Sequence, residues 1–205
     1  MIKLLYKGEL IREDETIRKA SSSVTLIQTE NHNIIVDTST KDKRELIIEE
    51  LKKLNLEPKD IDVVINTHRH YDHIENNDLF ENAVVYASPQ ECINECLGCK
   101  LYSGSDEVNE FEPIEKFRDD EVIILKTPGH TWGSISVVYG NYIVAGDAVP
   151  LKDNALLDIP PAVRVDYRSA KGSLRRIKLL KKNIITGHDG IVYISITSNN
   201  TDESF

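Results

Sequence analysis

Thr67-His68-Arg69-His70-Tyr71-Asp72-His73 follows closely on the apolar run Val63-Val64-Ile65. It packs three imidazoles and a carboxylate into the six residues from His68 to His73. A buried strand ending in such a cluster points several nitrogen and oxygen donors at one spot. Neutral imidazole with carboxylate suits zinc or iron better than magnesium or calcium. Histidine is scarce, with six in the chain, so an exposed polar turn is a poor account of three together.

The same pattern recurs outward from this cluster. His130 lies in Thr127-Pro128-Gly129-His130-Thr131, after Val122-Ile123-Ile124-Leu125. Asp147 lies in Ala145-Gly146-Asp147-Ala148, after Tyr142-Ile143-Val144, and His188 in Thr186-Gly187-His188-Asp189-Gly190, after Asn183-Ile184-Ile185. Each candidate ligand follows a short apolar strand and has a glycine nearby. Strand ends hold side chains rigidly, and glycine permits a tight turn or a close approach.

In the order Asp37, His68-x-His70-x-Asp72-His73, His130, Asp147, His188, the chain resembles the metallo-β-lactamase fold superfamily. The resemblance implies an α/β chain folded as an αββα sandwich, with metals at one edge between two sheets. It implies that His68, His70 and His130 hold a first metal, and Asp72, His73 and His188 a second. Asp147 would bridge the two, and Asp37 would support the site without binding metal. Two positions depart from the family pattern. Glu75 stands two residues past the cluster, where glycine is usual, and is expected to point to solvent; Ser39 replaces the usual glycine of the first motif.

The implied chemistry is metal-dependent hydrolysis. Two divalent ions, zinc in the first instance with iron or manganese as alternatives, would lower the pKa of a bridging water and supply hydroxide near neutrality. Asp72 is the candidate catalytic residue, orienting that hydroxide as well as binding metal. Tyr71, Glu75, Asp153 and Asp189 are candidate proton donors that the sequence does not rank. Residues 76–83 resemble the stretch that follows the cluster in quorum-signal lactonases. A thioester, ester or lactone is the leading substrate class, and an RNA phosphodiester the runner-up. Mononuclear iron persulfide dioxygenases share these ligands and are separated by their metal. Flavodiiron oxygen reductases carry glutamate where this chain has His70, and non-catalytic relatives lose ligands that this chain retains.

At 205 residues and 23.2 kDa, with 40% hydrophobic content, residues 1–205 are expected to form one domain. The first eight residues are charged and lack the apolar core of a signal peptide, and no window approaches a membrane span. A net charge of −9 disfavours nucleic acid. A cytoplasmic enzyme acting on a small molecule, without membrane contact, is therefore expected; a homodimer is left open.

Coarse periodicity predicts a hairpin from 24–29 and 33–37 with His32 in its turn, a helix over 41–54, a hairpin from 134–145, and a helix over 169–181. The first helix should turn Leu46, Ile47, Leu51 and Leu54 inward, the last Leu174, Ile177 and Leu180. The basic run 175–182 reads as the solvated face of that last helix, although with Arg164, Arg168 and Lys171 it could hold phosphates. Cys92, Cys96 and Cys99 have the spacing of an iron–sulfur motif. Following Pro89, they read instead as one buried helix face. The pocket is expected from segments 100–118 and 148–168.

Overall fold

Val63-Val64-Ile65 is apolar without a break because its strand is covered on both faces. Val63 and Ile65 pack into the core between two sheets, while Val64 packs outward beneath a helix. The same alternation runs through the molecule, described here from a computed structural model. The structure describes residues 1–14, 16–92 and 111–194.

The first sheet has strand order β1 (Ile2–Glu13), β2 (Thr16–Gln28), β3 (Asn33–Val36), β4 (Val63–Ile65), β5 (Val84–Ala87) and β6 (Glu112–Pro113). Its first three strands pair antiparallel and the rest parallel. In the second sheet, β7 (Val122–Lys126), β8 (Ile135–Tyr139) and β9 (Tyr142–Gly146) form a meander; β10 (Asn183–Thr186) joins β9 in parallel and β11 (Ile191–Val192) closes the edge. Ile27, Ile34, Val36 and Ile65 from one sheet meet Ile135, Val137, Val144 and Ile185 from the other.

Helices cover the outer faces, as the αββα expectation requires. On the first sheet, Ile47 and Leu51 of α1 (Arg44–Lys52) bury against Leu26, Ile35 and Val64. The short α2 (Tyr71–Ile74) carries the end of the histidine cluster. On the second sheet, Ala155 of α3 (Lys152–Leu156) and Leu174 and Ile177 of α4 (Tyr167–Leu179) bury against Val138, Ile143 and Ile184. The Asp166 carboxylate caps α4 by accepting from the Ser169 N–H at 2.7 Å.

Both predicted hairpins form, with a two-residue connection between Tyr139 and Tyr142. The first helix is shorter than expected, and the last has the expected length but lies two residues earlier. Residues 41–43 are a 3-10 turn ahead of α1, and α4 ends at Leu179. Leu46 and Leu180 face outward rather than inward, because the buried stripe is narrower than the apolar one. The long β1–β2 hairpin has no counterpart in the sequence reading, which placed a strand only from Val24. The side chain of Cys92, and Cys96 and Cys99 entirely, lie outside the described residues.

Candidate metal centre

All seven candidate ligands come from the ends of strands or the loops after them. His68, His70, Asp72 and His73 follow β4, His130 lies between β7 and β8, Asp147 follows β9, and His188 follows β10. The two sheets therefore each contribute donors. Three overlapping groups have ligand atoms within 4.8 Å of one another: His68, His70 and His130; His68, His73 and Asp147; and Asp72, His73 and His188.

The ring orientations are set by second partners. His73 Nδ1 lies 2.8 Å from Asp37 Oδ2, and His188 Nδ1 is 2.9 Å from the Ser21 carbonyl. His130 Nδ1 is 2.8 Å from the Val163 carbonyl. Each contact leaves Nε2 to face the site, the usual way in which an outer partner aims a metal-binding imidazole. His70 is turned the other way: its Nδ1 lies 3.0 Å from His68 Nε2 and 2.9 Å from His130 Nε2, which places three ring nitrogens around one point.

Asp147 sits between the two groups. Its Oδ1 is 3.0 Å from His188 Nε2 and 3.5 Å from His73 Nε2, while Oδ2 is 3.4 Å from His130 Nε2. Asp72 Oδ2 is 3.7 Å from His188 Nε2. His73 Nε2 and Asp147 Oδ1 are buried and lack a hydrogen bond. Orphaned buried polar atoms are costly unless something pairs with them, and a cation between the triads would pair with both. Gly187 makes the close approach possible: a Cβ there would lie 2.2 Å from Asp147 Oδ1.

Asp37 braces the centre from behind. Its carboxylate accepts from the Thr67 N–H at 2.8 Å and the Thr67 hydroxyl at 2.7 Å, besides holding His73. Asp37 and Ser39 both have positive φ, 55° and 60°. Ser39 thus holds a left-handed conformation that glycine would adopt without strain. Glu75 does not simply face solvent. Its Oε2 accepts from the Lys41 N–H at 2.9 Å, where residues 41–43 begin their turn.

Electrostatics divides the triads. Burial pushes the His68 imidazole well below its ordinary value. Burial, helped by neighbouring His130, lowers His70 to about 3. Burial opposes charge on His73 and His188 too, but Asp37 and Asp147 outweigh it at His73, which rises well above 6.5, and Asp147 outweighs it at His188. Metal-free His68 and His70 are thus held towards their neutral forms, while His73 and His188 are held towards protonated forms from which a metal must displace the proton. A raised folded pKa gives stability that is present in full below 6.5 and lost as pH rises through the folded value. Metal-free protein should therefore lose the His73 contribution on alkalinisation. Zinc affinity of the second triad should fall more steeply than that of the first as pH drops from about 8 to about 6. Chelator competition at the two pH values checks this; equal slopes would refute the division.

A cleft of about 600 Å³ opens over the cluster. Pro150, Pro161, Ala162 and Val163 line one side, within the expected 148–168 segment. Leu10, Arg12, Thr16, Ile17 and Ala20 of the unforeseen β1–β2 hairpin line another. The described part of 100–118 contributes no lining residue. Of the four candidate proton donors, Tyr71 alone lines the cleft; Asp189, for example, accepts from the Lys152 N–H instead.

Residues 17–89 match the sequence model of the metallo-beta-lactamase superfamily. A Methanocaldococcus jannaschii protein named a probable metallo-hydrolase is 58% identical over 94% of this chain and 89% of its own. An N-acyl homoserine lactonase of a Bacillus species is 30% identical over 70% of this chain and 62% of its own. The solved structure of a probable metal-dependent hydrolase from Staphylococcus aureus superposes with a TM-score of 0.70 at 20% identity, covering 100% of this chain and 98% of that one.

Proposed function

The chain belongs to the metallo-beta-lactamase superfamily and is a metallo-hydrolase, and from that premise we propose that it cleaves a small thioester, ester or lactone at a dinuclear centre. The carrying observation is the cleft: apolar side chains of Leu10, Ile17, Pro161, Ala162 and Val163 stand directly over the seven-residue His/Asp cluster. Such walls suit an acyl group beside a reacting carbonyl.

His68, His70 and His130 would hold one divalent ion and Asp72, His73 and His188 a second, which would supply Lewis acidity and an acidified water. Asp147 holds the two triads at fixed spacing through its two oxygens. Asp72 orients the attacking water and takes its proton. Tyr71, whose hydroxyl is pushed up by burial and by Asp72, stays protonated at neutral pH and can donate to the leaving group. The donor set favours zinc, with iron and manganese as alternatives.

The RNA reading rests on the basic run 175–182 with Arg164, Arg168 and Lys171, and three of those cations already have partners. Arg176 donates to the Lys126 carbonyl at 2.6 Å, Lys178 pairs with Asp158 at 3.1 Å, and Arg164 donates to the Pro161 carbonyl at 2.6 Å. Among the described residues, Arg12 is the one arginine or lysine that lines the cleft. Lactone or thioester hydrolysis should therefore depend little on salt and survive Arg175→Glu with Arg176→Glu near the native rate. Assays on thioesters, lactones and bis-p-nitrophenyl phosphate discriminate. RNA cleavage that falls steeply with salt and collapses in the double variant would favour the nuclease. Iron as the single native metal would point to the dioxygenase instead. No helix among the described residues is long and apolar enough to cross a membrane, which fits the proposed cytoplasmic setting.

A further inference from the structure

The two triads are not braced alike. His73 of the second triad is held directly by Asp37, which reaches the first triad only through Thr67, the neighbour of His68. In the first triad, His68 and His70 follow β4 of one sheet and His130 follows β7 of the other, so its geometry depends on how two loops from different sheets are tied together. Residues 66–70 lie in neither helix nor strand, and their backbone needs outside partners.

One side chain ties those loops. Glu91 follows β5, in the 3-10 turn Pro89–Cys92. Its Oε2 accepts from the backbone N–H of Arg69, between His68 and His70, at 2.9 Å. Its Oε1 accepts from the hydroxyl of Thr131, the neighbour of His130. That hydroxyl lies 2.6 Å from Ser134 Oγ, which accepts from the Thr131 N–H at 3.0 Å, so the bond reaches the base of the His130 loop. Gly133 preserves the space: a Cβ there would stand 2.5 Å from Glu91 Oε1 and 2.8 Å from Glu91 N, yet its backbone has no positive φ that would by itself call for glycine.

We propose that Glu91 is a positioning residue for the first triad, joining the His68/His70 loop to the His130 loop across the two sheets and so setting the affinity of that metal position apart from the other. The inference rests on the metal-centre reading above. Charge-assisted hydrogen bonds from one carboxylate to two loops are strong and directional, and outer partners of this kind change metal affinity by about 10- to 100-fold. Glutamine retains the geometry: its carbonyl can still accept from Arg69 N–H, and its amide can donate to Thr131 Oγ1, whose own proton then turns to Ser134.

The test is zinc affinity by chelator competition, read for the first triad in a His188→Ala background and for the second in a His70→Ala background. Glu91→Ala should weaken the first triad by about 10- to 100-fold and leave the second unchanged, while Glu91→Gln stays within about threefold of native. Thr131→Val, which removes only the hydroxyl, should weaken the first triad alone and carries the test should Glu91→Ala fail to fold. Unchanged affinity at the first triad, equal weakening of both triads, or a Gln variant as weak as Ala would overturn the proposal. Native protein that binds no zinc would overturn the metal-centre reading and this inference with it. Native tight binding left intact by Glu91→Ala would overturn this inference alone.

Discussion

His68→Ala is expected to purify with one metal where two are proposed for the native chain, and to hydrolyse its substrate about a thousandfold more slowly, on the order of 4 kcal/mol of lost transition-state stabilisation. His68 Nε2 meets His70 Nδ1 in the group that also holds His130, and His130 is fixed through its other nitrogen by the Val163 carbonyl. His73→Ala should lose the other metal, since His73 sits with Asp72 and His188. Metal analysis after purification without added metal, paired with single-turnover rates, checks both. Two full equivalents in both variants would show that the assignment is wrong. The comparable rate losses expected from either variant follow from a centre that works as a unit.

Asp37→Ala should have the largest effect on stability. Asp37 is 2% exposed and accepts from the Thr67 N–H, the Thr67 hydroxyl and His73. Removing it strands a buried backbone donor and leaves a buried imidazole without one of the two carboxylates that favour its charge. Breaking a buried, hydrogen-bonded charge pair costs about 3–5 kcal/mol. Denaturant unfolding of the metal-free protein reads that loss, and second-triad zinc affinity should fall about 10- to 100-fold in addition. Asp37→Asn is the informative partner: its carbonyl can keep one of the Thr67 bonds, so it should recover part of the stability. A metal-free Asp37→Ala protein as stable as native would contradict the bracing role.

The strand-end ligands were legible because each rests on a local rule. Val63-Val64-Ile65, Tyr142-Ile143-Val144 and Asn183-Ile184-Ile185 are short apolar runs, and the donors that follow them have nowhere to go but the sheet edge. Glu91 was not legible. It looked like part of a helix start after Pro89, and nothing in Pro89-Gln90-Glu91 hints at Arg69, 22 residues earlier, or Thr131, 40 residues later. Glu75 was misread for a related reason, since its partner, the Lys41 N–H, lies 34 residues away. Leu46 and Leu180 fit an apolar stripe on paper, but how much of a stripe is covered depends on the width of the sheet beneath it.

Sequence alone therefore determined the donor types and their order, and periodicity placed two hairpins and two helices because alternating and helical burial are local consequences of backbone geometry; the αββα arrangement followed from the family resemblance that the motifs carry. Only the tertiary structure decided which nitrogen of each ring faces the site, that the β1–β2 hairpin walls the cleft, and that Glu91 spans two loops. Those depend on contacts between segments far apart in the chain, whose relative placement is set by how the two sheets stack and not by any residue's own neighbours.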